Sequence, residues 1–221
     1  MGVLFRFSGS FMLRPMVRVK ICGLTRVRDI QAAVEVGADA IGLVFTPDSP
    51  RYVSPLKAMT LREAIPPFVS AVGLFVDQTA EEIEALAKEL QLDAIQLHGS
   101  EPPSMAISLT RPVIKAFRVD TPDAIRRAQR YPAHAYLFDA YVPNRAGGTG
   151  KQFNWKWLGN EIHRRPAILA GGLDPGNVAE AIATAHPFAV DVSSGVEDAP
   201  GIKNRNKVEQ FIRAAKAVGP R

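Results

Sequence analysis

Residues 167–195 read AILAGGLDPGNVAEAIATAHPFAVDVSSG, and this stretch decides the fold class. Two short, mainly apolar runs, 167–170 and 189–192, flank a segment in which Val178, Ala181 and Ile182 recur with helical spacing. Runs with so little polar alternation are typical of parallel strands that are covered on both faces. A strand, a helix and a second parallel strand make one β/α/β unit, so the stretch predicts an α/β protein.

The same alternation of apolar run and helical pattern extends back to residue 17. The predicted strands are 17–22, 40–45, 71–76, 94–97, 113–119, 135–139, 167–170 and 189–192. Thr79 and Glu82 have the spacing of a capping box before the third helix. Eight such units predict a single-domain (β/α)8 TIM barrel over residues 17–221. An open doubly wound sheet is the alternative, but Cys22-Gly23-Leu24-Thr25 after the first strand is not a glycine-rich dinucleotide turn.

Composition restricts the function classes. Of the 221 residues, 47% are hydrophobic and 22% are charged, which is ordinary for a folded domain and argues against disorder. No apolar run approaches the roughly 20 residues of a membrane helix, so we expect no membrane partner. The net charge is +5, but Lys and Arg are scattered among acids, and we expect no nucleic acid partner.

Cysteine and histidine usage points away from disulfides and metals. Cys22 is the one cysteine, which suits a reducing compartment and leads us to expect a cytoplasmic protein. The histidines lie too far apart in sequence for a zinc motif, so we expect no metal; they are His98, His134, His163 and His186.

Residues 1–16 precede the first predicted strand. They are apolar, contain Arg6 and Arg14 and carry no acid, which faintly resembles a targeting peptide, but no small-residue cleavage site follows. Met16 stands directly before the strand. We interpret residues 1–16 as an N-terminal extension, either disordered or the product of a start codon assigned too early.

Polar residues occur where a barrel carries its active site, at the carboxyl ends of strands. Cys22 follows strand 1, His98 follows strand 4 and Asp139 ends strand 6. A thiol can act as a base or nucleophile if neighbouring charge lowers its pKa, and a carboxylic acid can act as a general acid if burial raises its pKa. A structural salt bridge is the alternative for Asp139, and a small buried apolar residue is the alternative for Cys22.

Two loops after the last two strands predict a phosphate site. Glycine lets backbone N–H groups surround an anion, and serine hydroxyls add donors. A tight turn is the alternative for a diglycine, but (β/α)8 barrels often bind phosphate after strands 7 and 8. The predicted phosphate-binding residues are Gly171, Gly172, Ser193, Ser194 and Gly195.

Several segments together resemble the signatures of the phosphoribosylanthranilate isomerase family, in the family's order. They are Lys20-Ile21-Cys22-Gly23-Leu24-Thr25, Ser49-Pro50-Arg51, Gln96-Leu97-His98-Gly99, Gly147-Gly148-Thr149-Gly150, Leu169-Ala170-Gly171-Gly172-Leu173 and Asp191-Val192-Ser193-Ser194-Gly195-Val196-Glu197. Asn204 and Asn154 depart from the family pattern, where an acid is common, yet both can cap a helix.

The resemblance implies a cofactor-free Amadori rearrangement of N-(5-phosphoribosyl)anthranilate in tryptophan biosynthesis. It implies that Asp139 is the general acid and Cys22 the general base. It implies that Arg51 binds the anthranilate carboxylate, that His98 lines the pocket and that Asp191 orients the substrate or has a structural hydrogen-bonding role. The implied partner is a small phosphorylated substrate, and the chain is expected to be a monomer or a homodimer.

Four alternatives are weighed against this interpretation. The related sugar isomerase of histidine biosynthesis uses two carboxylates and a substrate with two phosphates, whereas Cys22 occupies strand 1 and the first half of the chain shows no second glycine-rich loop. A non-catalytic phosphometabolite-binding barrel needs neither Cys22 nor Asp139. A hydrolase with Cys22 as nucleophile and His98 as base lacks a third, orienting residue. A metal-dependent epimerase needs histidines on several strands.

Overall fold

A computed structural model describes residues 16–140, 153–161 and 164–218. Eight parallel strands close into a barrel in chain order, which confirms the (β/α)8 prediction. Each predicted strand agrees with an observed one to within one residue at either end. The strands are β1 Arg18–Cys22, β2 Ala40–Val44, β3 Ser70–Phe75, β4 Ala94–Leu97, β5 Val113–Val119, β6 Ala135–Ala140, β7 Ala167–Leu169 and β8 Ala189–Val192. The extension before Met16 and the Gly147-Gly148-Thr149-Gly150 motif lie outside the described residues.

Helices follow the strands around the barrel. They are α1 Val27–Val36, α2 Pro55–Glu63, α3 Ala80–Glu89, α4 Pro103–Ser108, α5 Pro122–Ala128, α6 Lys156–Gly159, α7 Val178–Ala185 and α8 Arg205–Ala217. After β8 the chain forms a 3-10 turn, Ser194–Val196, and a small hairpin of β9 Glu197–Ala199 and β10 Ile202–Lys203. This hairpin is absent from the predicted alternation, because its two short strands carry no apolar pattern.

Local signals in the sequence account for several helix ends. The Thr79 hydroxyl accepts from the Glu82 N–H and the Glu82 carboxylate accepts from the Thr79 N–H, so the predicted capping box is confirmed. Asn204 caps α8, because its side chain accepts from the Lys207 N–H at 3.0 Å. Gly37 ends α1 with a φ of 98°, a left-handed conformation that favours glycine.

Two apolar layers hold the barrel together. One face of each strand, including Ile21, Ile41 and Phe75, packs outward against the helices in the main core. The opposite face fills the barrel interior with a separate cluster of mostly small residues: Ala116, Leu137, Ile168, Ala170 and Ala189. Side chains alternate along a strand, so the strand register decides which residues share the interior.

The side chains inside the barrel change from apolar to polar toward the carboxyl ends of the strands. The register pairs Lys20 with Asp191 and Cys22 with Gly42, so these residues continue the inward-facing rows above the apolar plug. Gln96 and Asp139 do the same on β4 and β6 and are also buried. Buried polar side chains are costly in an apolar interior, so their concentration at one end of the barrel marks the candidate site.

The longest described helix, α8, has 13 residues, and no helix in the described ranges combines the length and apolar character needed to cross a bilayer. Within the same ranges, no three His, Cys, Asp or Glu side chains form a group that could hold a metal ion.

Candidate active site

The first half of the site is built on the neighbouring strands β1 and β8. Cys22 ends β1 with its side chain buried, and Lys20 lies on the same face two residues earlier. The Lys20 Nζ lies 2.7 Å from Asp191 Oδ1 and also hydrogen-bonds the Cys22 thiol. We call the three side chains Lys20, Cys22 and Asp191 the Cys22 wall.

The charges of the Cys22 wall oppose one another at the sulfur. Burial raises the pKa of the Cys22 thiol, Lys20 lowers it, Asp191 raises it and Lys203 lowers it, with a net increase. The two ammonium groups therefore do not lower the pKa of the thiol below its usual value, because burial outweighs them. Burial lowers the pKa of Lys20, but Asp191 and Cys22 raise it more, to about 12. Lys20 is therefore a cation at neutral pH, and the thiol keeps its proton.

The second half of the site lies on β4 and β6. The Asp139 Oδ2 lies 3.6 Å from His98 Nε2, too far for a hydrogen bond, and Gln96 Nε2 lies 3.0 Å from His98 Nδ1. Among the described residues, the buried Gln96 Oε1 and His98 Nε2 have no hydrogen-bond partner. Buried polar atoms are rarely left unpaired, so this region is poised to take further hydrogen bonds. We call Gln96, His98 and Asp139 the Asp139 wall.

Arg51 reaches over the end of β1 from the loop after β2. Its Nε and Nη2 donate to the two Glu197 carboxylate oxygens at 2.9 and 2.6 Å, and Glu197 also accepts from Lys203 Nζ at 2.7 Å. Burial raises the pKa of Glu197, but these bonds lower it more, so the carboxylate stays ionised. A Cβ on Gly23 would lie 2.5 Å from Arg51 Cδ, so the absence of a side chain there lets Arg51 cross.

The structure brings the two predicted phosphate loops together. Gly171 and Gly172 have φ values of 82° and 64°, and a Cβ on Gly195 would collide with the carbonyl oxygen of Leu173. Asn177 Nδ2 donates to the Gly172 carbonyl oxygen at 2.8 Å and fixes the first loop. A Cβ on Gly171 would lie 2.6 Å from Asp139 Oδ1, so this loop also adjoins the Asp139 wall.

Ser193 contacts Lys203 and the region of Gly23. Its carbonyl oxygen accepts from Lys203 Nζ at 3.0 Å, and its hydroxyl lies beside Gly23. The sequence shows no lysine within either glycine-containing loop, but the β10 hairpin brings Lys203 to this point. Ser193 therefore joins the Arg51 side of the site.

Sequence reasoning left several residues of the site without a role: Lys20, Gly42, Gln96, Glu197 and Lys203. Alternation along a strand could have identified the first and third of them, because each lies two residues from a candidate residue on the same face. No sequence pattern identifies Lys203, because only the β9–β10 hairpin brings it to Glu197.

Comparison with known proteins agrees with this geometry. Residues 19–214 match the family model described as N-(5'phosphoribosyl)anthranilate (PRA) isomerase. The N-(5'-phosphoribosyl)anthranilate isomerase of Geobacter metallireducens is 49% identical over 202 residues, which cover 91% of this chain and 100% of the relative.

Solved structures give the same result. The crystal structure of phosphoribosyl anthranilate isomerase from Thermotoga maritima has a TM-score of 0.87 and 44% identity, and the match covers 91% of this chain and 100% of that one. A phosphoribosyl anthranilate isomerase crystallised with reduced 1-(o-carboxyphenylamino)-1-deoxyribulose 5-phosphate has a TM-score of 0.82 and 42% identity, with 91% and 100% covered.

The chain belongs to the phosphoribosylanthranilate isomerase family. Its activity is the isomerisation of N-(5'-phosphoribosyl)anthranilate in tryptophan biosynthesis, which confirms the function implied by the sequence motifs. The binding barrel, the hydrolase, the epimerase and the histidine-pathway isomerase are thereby set aside. In this member of the family, both walls lie at the carboxyl ends of the barrel strands, the end at which (β/α)8 enzymes carry their active sites.

Proposed function

We propose that Asp139 and Cys22 perform the acid and base steps of the Amadori rearrangement from opposite walls of the barrel mouth. The observation that carries this proposal is the difference between their surroundings. Cys22 lies against the Lys20 ammonium, which favours a thiolate, whereas Asp139 lies beside the His98 ring with no cation bonded to it in the described residues. A neighbouring ring that can hydrogen-bond the carboxylate suits a group that delivers a proton and is left with a negative charge.

The first step opens the ribose ring. Protonated Asp139 gives its proton to the ring oxygen, the bond between that oxygen and C1′ breaks, and the nitrogen lone pair forms a C1′=N Schiff base. The Asp139 carboxylate left behind can accept a hydrogen bond from His98 Nε2–H, which is 3.6 Å away in this structure. His98 thus stabilises the Asp139 carboxylate after proton transfer and also lines the pocket.

The second step removes the proton from C2′. The Cys22 thiolate takes this proton, the C–H electrons form a C1′=C2′ double bond, and the C1′=N electrons return to nitrogen. The enolamine then tautomerises to the ketone. Because burial raises the pKa of the thiol, only a minor fraction is thiolate in the structure at neutral pH, and the Schiff base cation adds a positive charge that favours ionisation when substrate is bound.

Binding groups surround these two residues. The Arg51 Nε and Nη2 atoms bind the Glu197 carboxylate. The Arg51 Nη1 atom then binds the anthranilate carboxylate from the other side of the guanidinium group. Gly171, Gly172, Ser194 and Gly195 supply backbone N–H groups for the phosphate of this small-molecule substrate, and Ser193 links them to Lys203. Asp191 orients the substrate through its contact with Lys20.

The proposal extends to the cellular setting and the assembly. A thiol base must stay reduced, so we place the enzyme in the cytoplasm. We propose that the enzyme is a monomer or a homodimer, with each chain supplying a whole site.

The test of the base is Cys22→Ala, measured by steady-state isomerisation of freshly made N-(5'-phosphoribosyl)anthranilate. We expect kcat to fall by about 10²–10⁴, the usual contribution of a positioned acid or base. KM should stay within about threefold, because the change removes a proton acceptor and not a binding contact.

Ser70→Ala is the matched control, since it removes one similar atom from the exposed opposite end of β3. It should leave both constants unchanged. A Cys22→Ala enzyme within about threefold of the wild-type kcat would assign the base to another residue.

A further inference from the structure

Lys20 is a buried lysine that neither gives nor takes a proton in the proposed acid and base steps. Its side chain is 5% exposed, and it lies 2.7 Å from Asp191 Oδ1. Taking an ammonium out of water is expensive even when it is paired, and a pair of apolar residues is often at least as stable. A buried cation at this position therefore needs a reason beyond stability.

The backbone is arranged so that this cation reaches the sulfur. Lys20 and Cys22 lie two residues apart on the same face of β1, and the register places Gly42 of β2 beside Cys22. A Cβ on Gly42 would lie 2.8 Å from Cys22 Sγ and 3.1 Å from Lys20 Nζ. Any larger residue at position 42 would thus occupy the space in which the ammonium and the sulfur meet.

We propose that Lys20 is a positioning residue that holds a positive charge against Cys22 and so makes its thiolate attainable, with Asp191 fixing the ammonium and Gly42 leaving room for it. The inference rests on the proposed role of Cys22 as the base. The minor thiolate fraction forms when the thiol gives its proton to solvent water, and Lys20 stays protonated throughout. No further reactant is required.

Three charged groups act on the sulfur, and a fourth lies nearby. Lys20 comes from its own strand, Asp191 from β8 and Lys203 from the β10 hairpin, and Arg51 lies over the neighbouring Gly23. β2 presents only Gly42 at this level. Lys203 divides its bonds between Glu197 and the Ser193 carbonyl oxygen, whereas Lys20 hydrogen-bonds the sulfur. Of the two ammonium groups, Lys20 is therefore the one in direct contact with Cys22.

The single cysteine in the chain makes this testable. Thiolate ultraviolet absorbance and the rate of iodoacetamide alkylation, each followed against pH, report Cys22 alone, with Cys22→Ala as the blank. Lys20→Met keeps the length of the side chain and removes the charge, and Lys20→Arg keeps the charge. Lys115→Met is the matched control, because it removes another buried lysine, one that lies 2.8 Å from Glu101 and faces away from Cys22.

We expect Lys20→Met to raise the thiol pKa by at least about one unit, the usual effect of removing an opposite charge at this range. Alkylation at neutral pH should slow by about tenfold or more, and the rising limb of kcat against pH should move upward with KM little changed. Lys20→Arg should restore most of both readouts, and Lys115→Met should leave the thiol titration in place. A purely structural lysine would lower activity without moving this titration.

An unchanged thiol titration in Lys20→Met would overturn the inference. A shifted titration with an unchanged kcat–pH profile would support the link between Lys20 and Cys22 and instead reject Cys22 as the base. If Lys20→Met does not fold, Gly42→Ala provides the second measurement. Its added methyl should push the ammonium away from the sulfur and raise the thiol pKa in the same direction, and an unshifted titration there would overturn the inference equally.

Discussion

The Cys22 wall and the Asp139 wall lie at the same end of the barrel, but their side chains interact in different ways. The Cys22 wall contains a closed ion pair, Lys20 with Asp191, whose atoms are 2.7 Å apart. In the Asp139 wall, Gln96 Nε2 hydrogen-bonds His98 Nδ1, and His98 Nε2 lies 3.6 Å from Asp139 Oδ2. In the first wall the described polar groups are paired, and in the second two buried polar atoms are not.

This difference supports the proposal that one cavity holds both an acid and a base at the same pH. A fixed ammonium lowers the pKa of a neighbouring thiol, while a carboxylic acid keeps its proton more readily where no cation pairs with it. The Cys22 wall is complete before substrate arrives, whereas the Asp139 wall has hydrogen-bonding capacity left for substrate. We therefore expect changes in the first wall to affect both stability and chemistry, and changes in the second to affect chemistry mainly.

The largest expected effect is the loss of kcat when the proposed acid of the Asp139 wall is replaced. Asp139→Asn keeps the shape of the side chain but cannot deliver a proton to the ring oxygen, so kcat should fall by about 10²–10⁴. Binding of a product analogue, measured by titration calorimetry, should change little. Asp120→Asn, an exposed change at the same end of β5, should retain normal turnover. Normal turnover by Asp139→Asn would show that the ring opens by another route.

The next prediction compares the loss of unfolding free energy caused by one substitution in each wall. Lys20→Met leaves Asp191 buried without its partner, and loss of one member of a buried pair costs about 3–5 kcal/mol. Gln96→Met should cost about 1 kcal/mol or less, because one Gln96 polar atom is already unpaired and the replacement has a similar shape. Urea unfolding of the two variants checks this. Equal losses of unfolding free energy would remove the distinction between the walls.

A smaller effect tests the loop that adjoins the Asp139 wall. Gly172 has a φ of 64°, and a β-branched residue there is strained, so Gly172→Val should displace the backbone N–H groups of the phosphate loop. We expect KM for the phosphorylated substrate to rise by about tenfold or more and inhibition by inorganic phosphate to weaken equally, since a charge-assisted hydrogen bond contributes about 1.5–3 kcal/mol.

Gly176→Val is the control in the same loop, because Gly176 is exposed and a Cβ there would meet only Asp174 Oδ1 at 3.2 Å. It should bind phosphate normally. If Gly172→Val kept normal phosphate inhibition, the anion would have to bind elsewhere.

The smallest effect concerns charges outside both walls. Arg127 pairs with Asp123 at 2.6 Å on the exposed face of α5 and is the nearest rival for an anion, together with Arg126. An exposed pair of this kind contributes about 0–1 kcal/mol, so Arg127→Gln should barely change thermal unfolding. Phosphate inhibition should also stay the same. A weaker inhibition would move the phosphate site from the barrel mouth to α5.

Most of the fold could be predicted from the sequence, because strand and helix formation depend on local apolar periodicity. The apolar runs that begin at Ala94 and Ala189 coincide with β4 and β8 at both ends. Sequence reasoning could also single out the candidate residues Cys22, Asp139 and Gly171, because (β/α)8 barrels carry their functional groups at the carboxyl ends of the strands. The β9–β10 hairpin was missed, since two strands of three and two residues have no pattern to detect.

The order of the strand–helix units and the chemical groups at the strand ends are local properties of the chain, so both can be predicted from the amino-acid sequence. The electrostatics of the site depend instead on contacts between distant parts of the chain. The pairing of Lys20 with Asp191, 171 residues apart, and of Arg51 with Glu197, 146 residues apart, depends on closure of the barrel and on its register. The direction of the Cys22 thiol pKa depends on burial and on the distances to Lys20, Asp191 and Lys203, and these quantities exist only once the strands have met.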